Sequence, residues 1–185
     1  MAWLYWIVTS LVLAIAVHVG YVLVAPSYAV QQSLAALVKD AGVNRFFILD
    51  ASDQARLFPT FPPQHVFGAC AFDLSKTKVA LTGNMPEGLW TLTIYSATGD
   101  VFYTLNDTQS GTARFTVSLS LAPSLVEMVM NTGTEETGNM TGWDVKANEP
   151  TGLAVFWIPV SEAAMRPSVI KTLQSTECRA DPTPS

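Results

Sequence analysis

The chain has 185 residues, 49% of them hydrophobic and 14% charged, with a formal net charge of −5. Acidic side chains are scattered and no Lys/Arg run exists, which argues against nucleic-acid binding and against a polybasic lipid-surface patch. Two cysteines, Cys70 and Cys178, with no C-x-x-C spacing and no Cys/His cluster, exclude a structural zinc site by composition, and neither a metal nor a cofactor is expected.

The first 38 residues carry no charged side chain, and Trp3 to Ala25 is an almost unbroken apolar run. As a helix rising about 1.5 Å per residue, such a run covers a hydrocarbon layer of about 30 Å. Trp3, Tyr5 and Trp6 at one end and Tyr21 and Tyr28 at the other fit aromatic belts at the two interfaces. Residues 1–26 therefore read as a transmembrane anchor in the lipid bilayer. A cleaved secretory signal is the competing reading, because Ser27 and Ala29 have small-x-small spacing for cleavage after Ala29. The missing basic n-region and the length of the run favour the anchor. Lys39 and Arg45 follow the span, which would put the downstream side in the cytoplasm, but long domains cross largely regardless of charge. The signal-like N-terminus and the possible pairing of Cys70 with Cys178 favour the exported side. His18 is the one ionisable group inside the span, and its ordinary use is a neutral imidazole turned toward an interface or a partner helix. Gly20 stands alone, without a G-x-x-x-G face.

Residues 27–42 read as an amphipathic connector helix, continuing from the anchor or bent against it after Pro26. Val30, Leu34, Leu37, Val38 and Ala41 form its apolar stripe, and Gly42 is placed to stop it. From Asn44 onward the period changes to two. Arg45 to Leu49 is a short strand, and Asp50 to Gln64 a proline-interrupted loop. Further strands are expected over Gly68–Leu74, Lys78–Thr82, Leu89–Ser96, Val101–Asn106, Ala113–Leu119, Val126–Asn131, Trp143–Lys146 and Leu153–Val160. Turn residues separate them, most legibly Thr98-Gly99-Asp100 between two alternating strands. A closing helix over Glu162–Leu173 has Ser161 as its candidate N-cap, or starts only at Pro167. The fold class is mainly β: one N-terminal helix, an antiparallel β-sandwich-like domain over residues 43–178, a short C-terminal helix, and a disordered tail over 179–185.

The stretch from Cys70 through Asp107 resembles the bacterial domain of unknown function catalogued as family 1254, in particular its short, single-anchor inner-membrane members. The matching residues are Phe72-Asp73-Leu74-Ser75, Val79, Leu81, Trp90, Ile94-Tyr95, Gly99-Asp100, Phe102-Tyr103 and Asn106-Asp107. The late Cys178 after a helix matches as well. The Asn-x-Asp-Thr-x-Tyr signature of larger members is absent, since the region reads Gln64-His65-Val66-Phe67-Gly68, and Lys76-Thr77-Lys78 replaces their Gly-Pro. The resemblance implies a sandwich-like domain in the bacterial envelope, working beside a companion protein of domain-of-unknown-function family 1214.

Candidate chemistry is sparse. Cys70 and Cys178 either form one disulfide, if the domain is exported, or are two small buried hydrophobes. His65 with Cys70 and Asp73 falls short of a ligand set or a catalytic pair, and reads as a loop histidine. Asp73, Asp100 and Asp107 lie at strand ends, where aspartates close turns; a carboxylate hydrolase would need two of them to converge. Asn106-Asp107-Thr108 and Asn139-Met140-Thr141 match the glycosylation acceptor pattern, which a bacterial host leaves unmodified. Trp90, Tyr95, Tyr103, Trp143 and Trp157 are the candidate lining of an apolar pocket between the sheets, against their commoner use as core. The leading expectation is a non-enzymatic, membrane-tethered envelope protein, at the inner membrane with a periplasmic domain, acting through a partner protein. Apolar-ligand binding and a carboxylate hydrolase are the alternatives.

Overall fold

The computed structural model of the protein describes residues 2–111, 113–123 and 142–181. One helix, α1 (Ala2–Ala41), opens the chain and runs through Pro26 without interruption. Its segment Ala2–Ala25 is long and apolar enough to cross a membrane, and none of it is buried against the rest of the protein. The last turns of the same helix behave differently. Leu37 is buried, and Leu34 and Val38 face Ala71, Phe72 and Gly152 of the domain. Leu34, Leu37 and Val38 of the expected apolar stripe thus pack on protein. Gly42 ends the helix in the left-handed region (φ 86°), its N–H donating to the Val38 carbonyl at 2.9 Å. Asn44, also left-handed at φ 57°, then clamps the turn: its Oδ1 accepts from the Asp73 N–H at 2.9 Å.

Two sheets follow. The first has five strands in the order β1 (Arg45–Ile48), β2 (Val66–Asp73), β8 (Thr151–Ile158), β4 (Thr91–Ser96) and β5 (Val101–Asn106). The second has four, in the order β7 (Trp143–Ala147), β6 (Arg114–Leu121), β3 (Lys78–Asn84) and β9 (Glu177–Asp181). Neighbours are antiparallel except β6 and β7, which run parallel. The expected mainly-β sandwich is therefore correct, with one mixed sheet. Between the sheets, Val66, Cys70 and Phe72 from β2, Leu92 and Ile94 from β4, and Ala154, Phe156 and Ile158 from β8 meet Val79 and Leu81 from β3 and Phe115, Val117 and Leu119 from β6. The period-two alternation that marked these strands is the alternation between that core and the outer faces. The Thr98-Gly99-Asp100 turn joins β4 to β5 as expected, with Gly99 at φ 93°.

Two readings of chain organisation differ from the sequence expectation, and the closing helix decides between its two expected starts. Asp50–Gln64 contains a helix, α2 (Ala51–Leu57), because the Asp50 carboxylate accepts from the backbone N–H groups of Ser52 and Asp53, both at 2.8 Å. The prolines begin only after it. The closing helix takes the later of its two expected starts, Arg166–Leu173 with Pro167 in its first turn, behind a 3₁₀ turn (Ala163–Met165); Ser161 does not cap it. A short helix (Asp107–Ser110) also follows β5, so in chain order this is α3 and the closing helix is α4. Finally, Arg179, Ala180 and Asp181 are not tail. They belong to β9, paired with β3 from Lys78 to Thr82. The expected strand Val126–Asn131, the Thr132–Gly142 loop up to residue 141, the second glycosylation pattern and residues 182–185 lie outside the described residues.

Candidate functional site

The outer face of the five-stranded sheet is apolar at its centre, and this follows from the strand pattern. β8 has the sequence Thr-Gly-Leu-Ala-Val-Phe-Trp-Ile, apolar at nearly every position, as a strand covered on both sides must be. Its outward residues Val155 and Trp157 join Phe67 and Ala69 of β2 in a second apolar cluster. The last turns of α1 cover this face near Ala71, whereas α2 and the loop behind it cover it near Phe67.

Aromatic rings build that second cover. Phe58 stacks on Phe67 with centroids 4.6 Å apart, and Phe61 stands edge-on to Phe67 at 5.3 Å and to Trp157 at 5.8 Å. The Trp157 indole Nε1–H donates to His65 Nδ1 at 2.9 Å, which assigns the neutral imidazole its proton on Nε2. Arg166 of α4 ties down the same loop, its guanidinium donating to the carbonyls of Pro63 at 2.8 Å and His65 at 3.2 Å.

Between α2 and this loop lies a cavity of about 230 Å³, lined by Ala51, Gln54, Ala55, Phe58, Pro59 and Phe61, with Pro63 beside them. Gln54 is its one polar side chain of consequence. It is 3% exposed; its Nε2 donates to the Pro62 carbonyl at 3.1 Å, and its Oε1 has no partner. No charged residue lines the cavity. Asp53 and Arg56, on the same helix, pair with each other at 2.7 Å in solvent.

The five aromatic residues expected to share one pocket are not brought together. Trp90 is buried in the core against Phe115, and Tyr103 and Trp143 pack at that core's margin. Tyr95 and Trp157 point to the opposite, outer face. The reason is parity. Tyr95 and Trp157 occupy outward positions in the β4–β8 register, whereas Tyr103 pairs with the inward Ile94 and Trp143 with the inward Val117, so a sheet stands between the two groups. Among the described residues, the core side chains of both sheets meet in the space between them. Partial burial raises the Tyr103 hydroxyl pKa above the ordinary tyrosine value.

The two cysteines are bonded. Cys70 on β2 and Cys178 on β9 face each other across the sandwich and link its two sheets, closing a separation of 108 residues. Asp73 closes the expected turn, accepting from the Ser75 N–H at 2.8 Å, and hydrogen bonds from Ser75 hold its pKa below the usual carboxylate value. Asp100 and Asp107 flank β5 at its two ends, about 23 Å apart at 3.3 Å per residue. Asp100 instead meets Glu149 around Thr98, whose Oγ1 lies 2.9 Å from Asp100 Oδ2 and 3.5 Å from Glu149 Oε1. That hydroxyl has one proton to give, and Ser96 Oγ lies 2.7 Å away, so the cluster wires the β4–β5 turn. Asn106 caps α3 in a reciprocal capping box with Gln109. Among the described residues no three of His, Cys, Asp and Glu gather as a metal site. In the span, Trp3 is exposed, and His18 shares a bare helix face with Ser10, Ala14 and Tyr21. Gln54, Phe58 and Phe61 escaped the sequence reading. The signal for them was Asp50 placed three residues before Asp53, a helix N-cap spacing hidden by the prolines that follow.

No protein-family model matches the chain, and no curated protein matches it. Solved structures do. The crystal structure of the VPA0106 protein from Vibrio parahaemolyticus superposes with a TM-score of 0.58 at 12% identity, over 86% of this chain and 39% of that one. A putative uncharacterized protein from Burkholderia cenocepacia gives a TM-score of 0.46 at 10% identity, over 75% of this chain and 34% of that one. This chain thus spans about two fifths of the length of the Vibrio protein, and the likeness to it establishes a shared fold.

Proposed function

We propose that this chain is a single-pass protein of the bacterial inner membrane whose disulfide-linked sandwich sits in the periplasm and acts by binding a partner protein. The observation that carries the reading is the continuity of α1. A 24-residue apolar segment with no protein cover joins, with no break in the helix, a segment whose Leu37 is buried on the domain. Such a helix holds the sandwich at a set position beside the bilayer rather than on a loose tether. The Cys70–Cys178 bond supports export, because disulfides persist in oxidising compartments. Among the described residues the five-stranded sheet ends on β5, whose Val101 is 56% exposed; a strand with an open edge is a surface that an extended partner segment can extend. A companion family 1214 protein is the partner implied by the resemblance of the sequence.

Two measurements on the full chain in cells test this. Carbonate extraction should leave the protein in the membrane pellet, and the two cysteines should react with a maleimide only after reduction and unfolding. A photo-crosslinker at Val101 should then trap a discrete protein adduct. Soluble protein trimmed at Ala29 removes the anchor; absence of any adduct from Val101 removes the partner reading.

A further inference from the structure

We propose that the open edge of β5 takes an extended segment of a partner protein, apolar at its middle and carrying Lys or Arg near both ends. This deepens the reading of the chain as a partner-binding protein and rests on it. Strand parity fixes which backbone groups of β5 are open. The Asp107 N–H donates to the Trp90 carbonyl at 3.3 Å, and the Ser96 N–H to the Asp100 carbonyl at 2.9 Å. In an antiparallel pair, residues that bond across alternate with residues whose N–H and C=O point away. Tyr103 and Leu105, opposite Ile94 and Leu92, therefore bond to β4. Val101, Thr104 and Asn106, opposite Tyr95, Thr93 and Thr91, turn theirs to the open side. Gln109 follows the same parity: its Oε1 accepts from the Asn106 N–H at 3.1 Å and closes that end of the edge. Val101 and Thr104, both exposed, are left with a donor and an acceptor each to offer.

Edge strands are commonly guarded by lysine or proline, and Val101–Asn106 has neither. A register shift between Ile94 and Tyr95 is the guard that is present, and it brings both Phe102 and Tyr103 onto the margin of the core. Those two half-buried rings are the apolar surface that the middle of a docked strand covers. The ends specify charge. Asp100, with Glu149 beside it across Thr98, lies at one end of β5 and Asp107 at the other. Among the described residues none of these three pairs with a Lys or Arg. Between Lys78 and Lys146 the chain holds Arg114 as its one cation against seven Asp and Glu. A second copy of β5 would set like charges side by side, so the occupant is a different chain that brings its own cations. At 3.3 Å per residue, the roughly 23 Å from Asp100 to Asp107 puts those cations about seven positions apart.

The test uses the full chain in lipid nanodiscs with the photo-crosslinker at Val101. The probes are three synthetic peptides that share an alternating Val-Thr middle and carry Lys, Gln or Glu at both ends. Saturable adduct formation gives the affinity of each. The Lys-ended peptide is expected to bind about threefold to tenfold more tightly than the Gln-ended one, and the Glu-ended one most weakly. The spread should narrow in about 1 M salt, and also in Asp100→Asn with Asp107→Asn, which removes charge and keeps shape. Thr104→Pro removes an outward N–H and no bond to β4, so it should lower the adducts of all three. Equal affinity of the three peptides, or an unchanged spread in the Asn pair, overturns the charge complement while edge pairing stands. Full adduct yield in Thr104→Pro, or saturable adducts from none of the peptides, overturns the inference outright; the adduct from Val101 in cells then decides separately whether the partner reading holds.

Discussion

Cutting the covalent link between the sheets should have the largest effect of any single change to this domain. The bond between Cys70 and Cys178 closes a separation of 108 residues, and constraining an unfolded chain by a loop of that length is worth about 4.7 kcal/mol in the chain-entropy account. Little of this is offset in the folded state. Both cysteines are almost fully buried among apolar neighbours, so two thiols remain there as small hydrophobes. Native strand pairing on each side also holds them in place: Cys70 pairs with Phe46 and Ala154, Cys178 with Leu81. We therefore expect reduction to lower stability by about 3–5 kcal/mol, or the melting temperature by about 10–15 °C for a domain of this size. Urea unfolding of the full chain in nanodiscs, followed by tryptophan fluorescence, measures this before and after reduction. The slope should steepen on reduction, because the unlinked unfolded chain exposes more surface. Cys70→Ala with Cys178→Ala checks the result without reductant. A thiol count of two together with a loss under about 1 kcal/mol would refute the reasoning, since it would mean the unfolded chain is already as restricted without the bond.

Smaller perturbations probe the rest of the frame. An added methyl group at Gly152 meets the Tyr95 carbonyl and the Phe72 ring, so Gly152→Ala should cost about 1–3 kcal/mol in the same urea assay. A double-mutant cycle of His65→Leu and Trp157→Phe should show a coupling of about 1 kcal/mol for the indole–imidazole hydrogen bond, and zero coupling would remove that bond from the account. Asp50→Ala should fray α2 and raise amide exchange from Gln54 to Leu57 by roughly an order of magnitude, while Asp50→Asn keeps the cap. Hydrogen bonds from the Asp53 and Ser52 groups lower the Asp50 pKa in the folded chain below its ordinary 3.8. The stabilisation from this group is therefore complete above 3.8 and is lost as pH falls through the lower, folded value, so wild-type α2 should fray in acid where the Asn variant does not.

Local pattern made part of this architecture legible. The β4–β5 hairpin was readable because alternation and turn chemistry act between neighbours: Leu92 and Ile94 turn inward, Thr91 and Thr93 outward, and Gly99 takes the left-handed turn. The Asp73 turn and the Gly42 helix stop were readable for the same reason. α2 was not, since three nearby prolines outweighed one capping aspartate. β9 was not, since Glu-Cys-Arg-Ala-Asp has no apolar alternation beyond its cysteine and is a strand through pairing with β3, nearly a hundred residues earlier in the chain. The candidate cavity was the least legible feature. It joins Gln54 and Phe61 to a sheet face made by β2 and a strand that arrives about ninety residues later.

By itself, the order of residues determined what each segment prefers: lipid or water, helix or strand, turn or run. Those preferences depend on a side chain and its immediate neighbours, which any window of sequence contains. Only the tertiary structure decided that β8 enters between β2 and β4, that two sheets share one disulfide, and that the aromatic residues divide between two faces. Such choices arise because strand parity and chain closure act between distant segments, and a sheet one residue out of register would turn every one of its side chains to the other side.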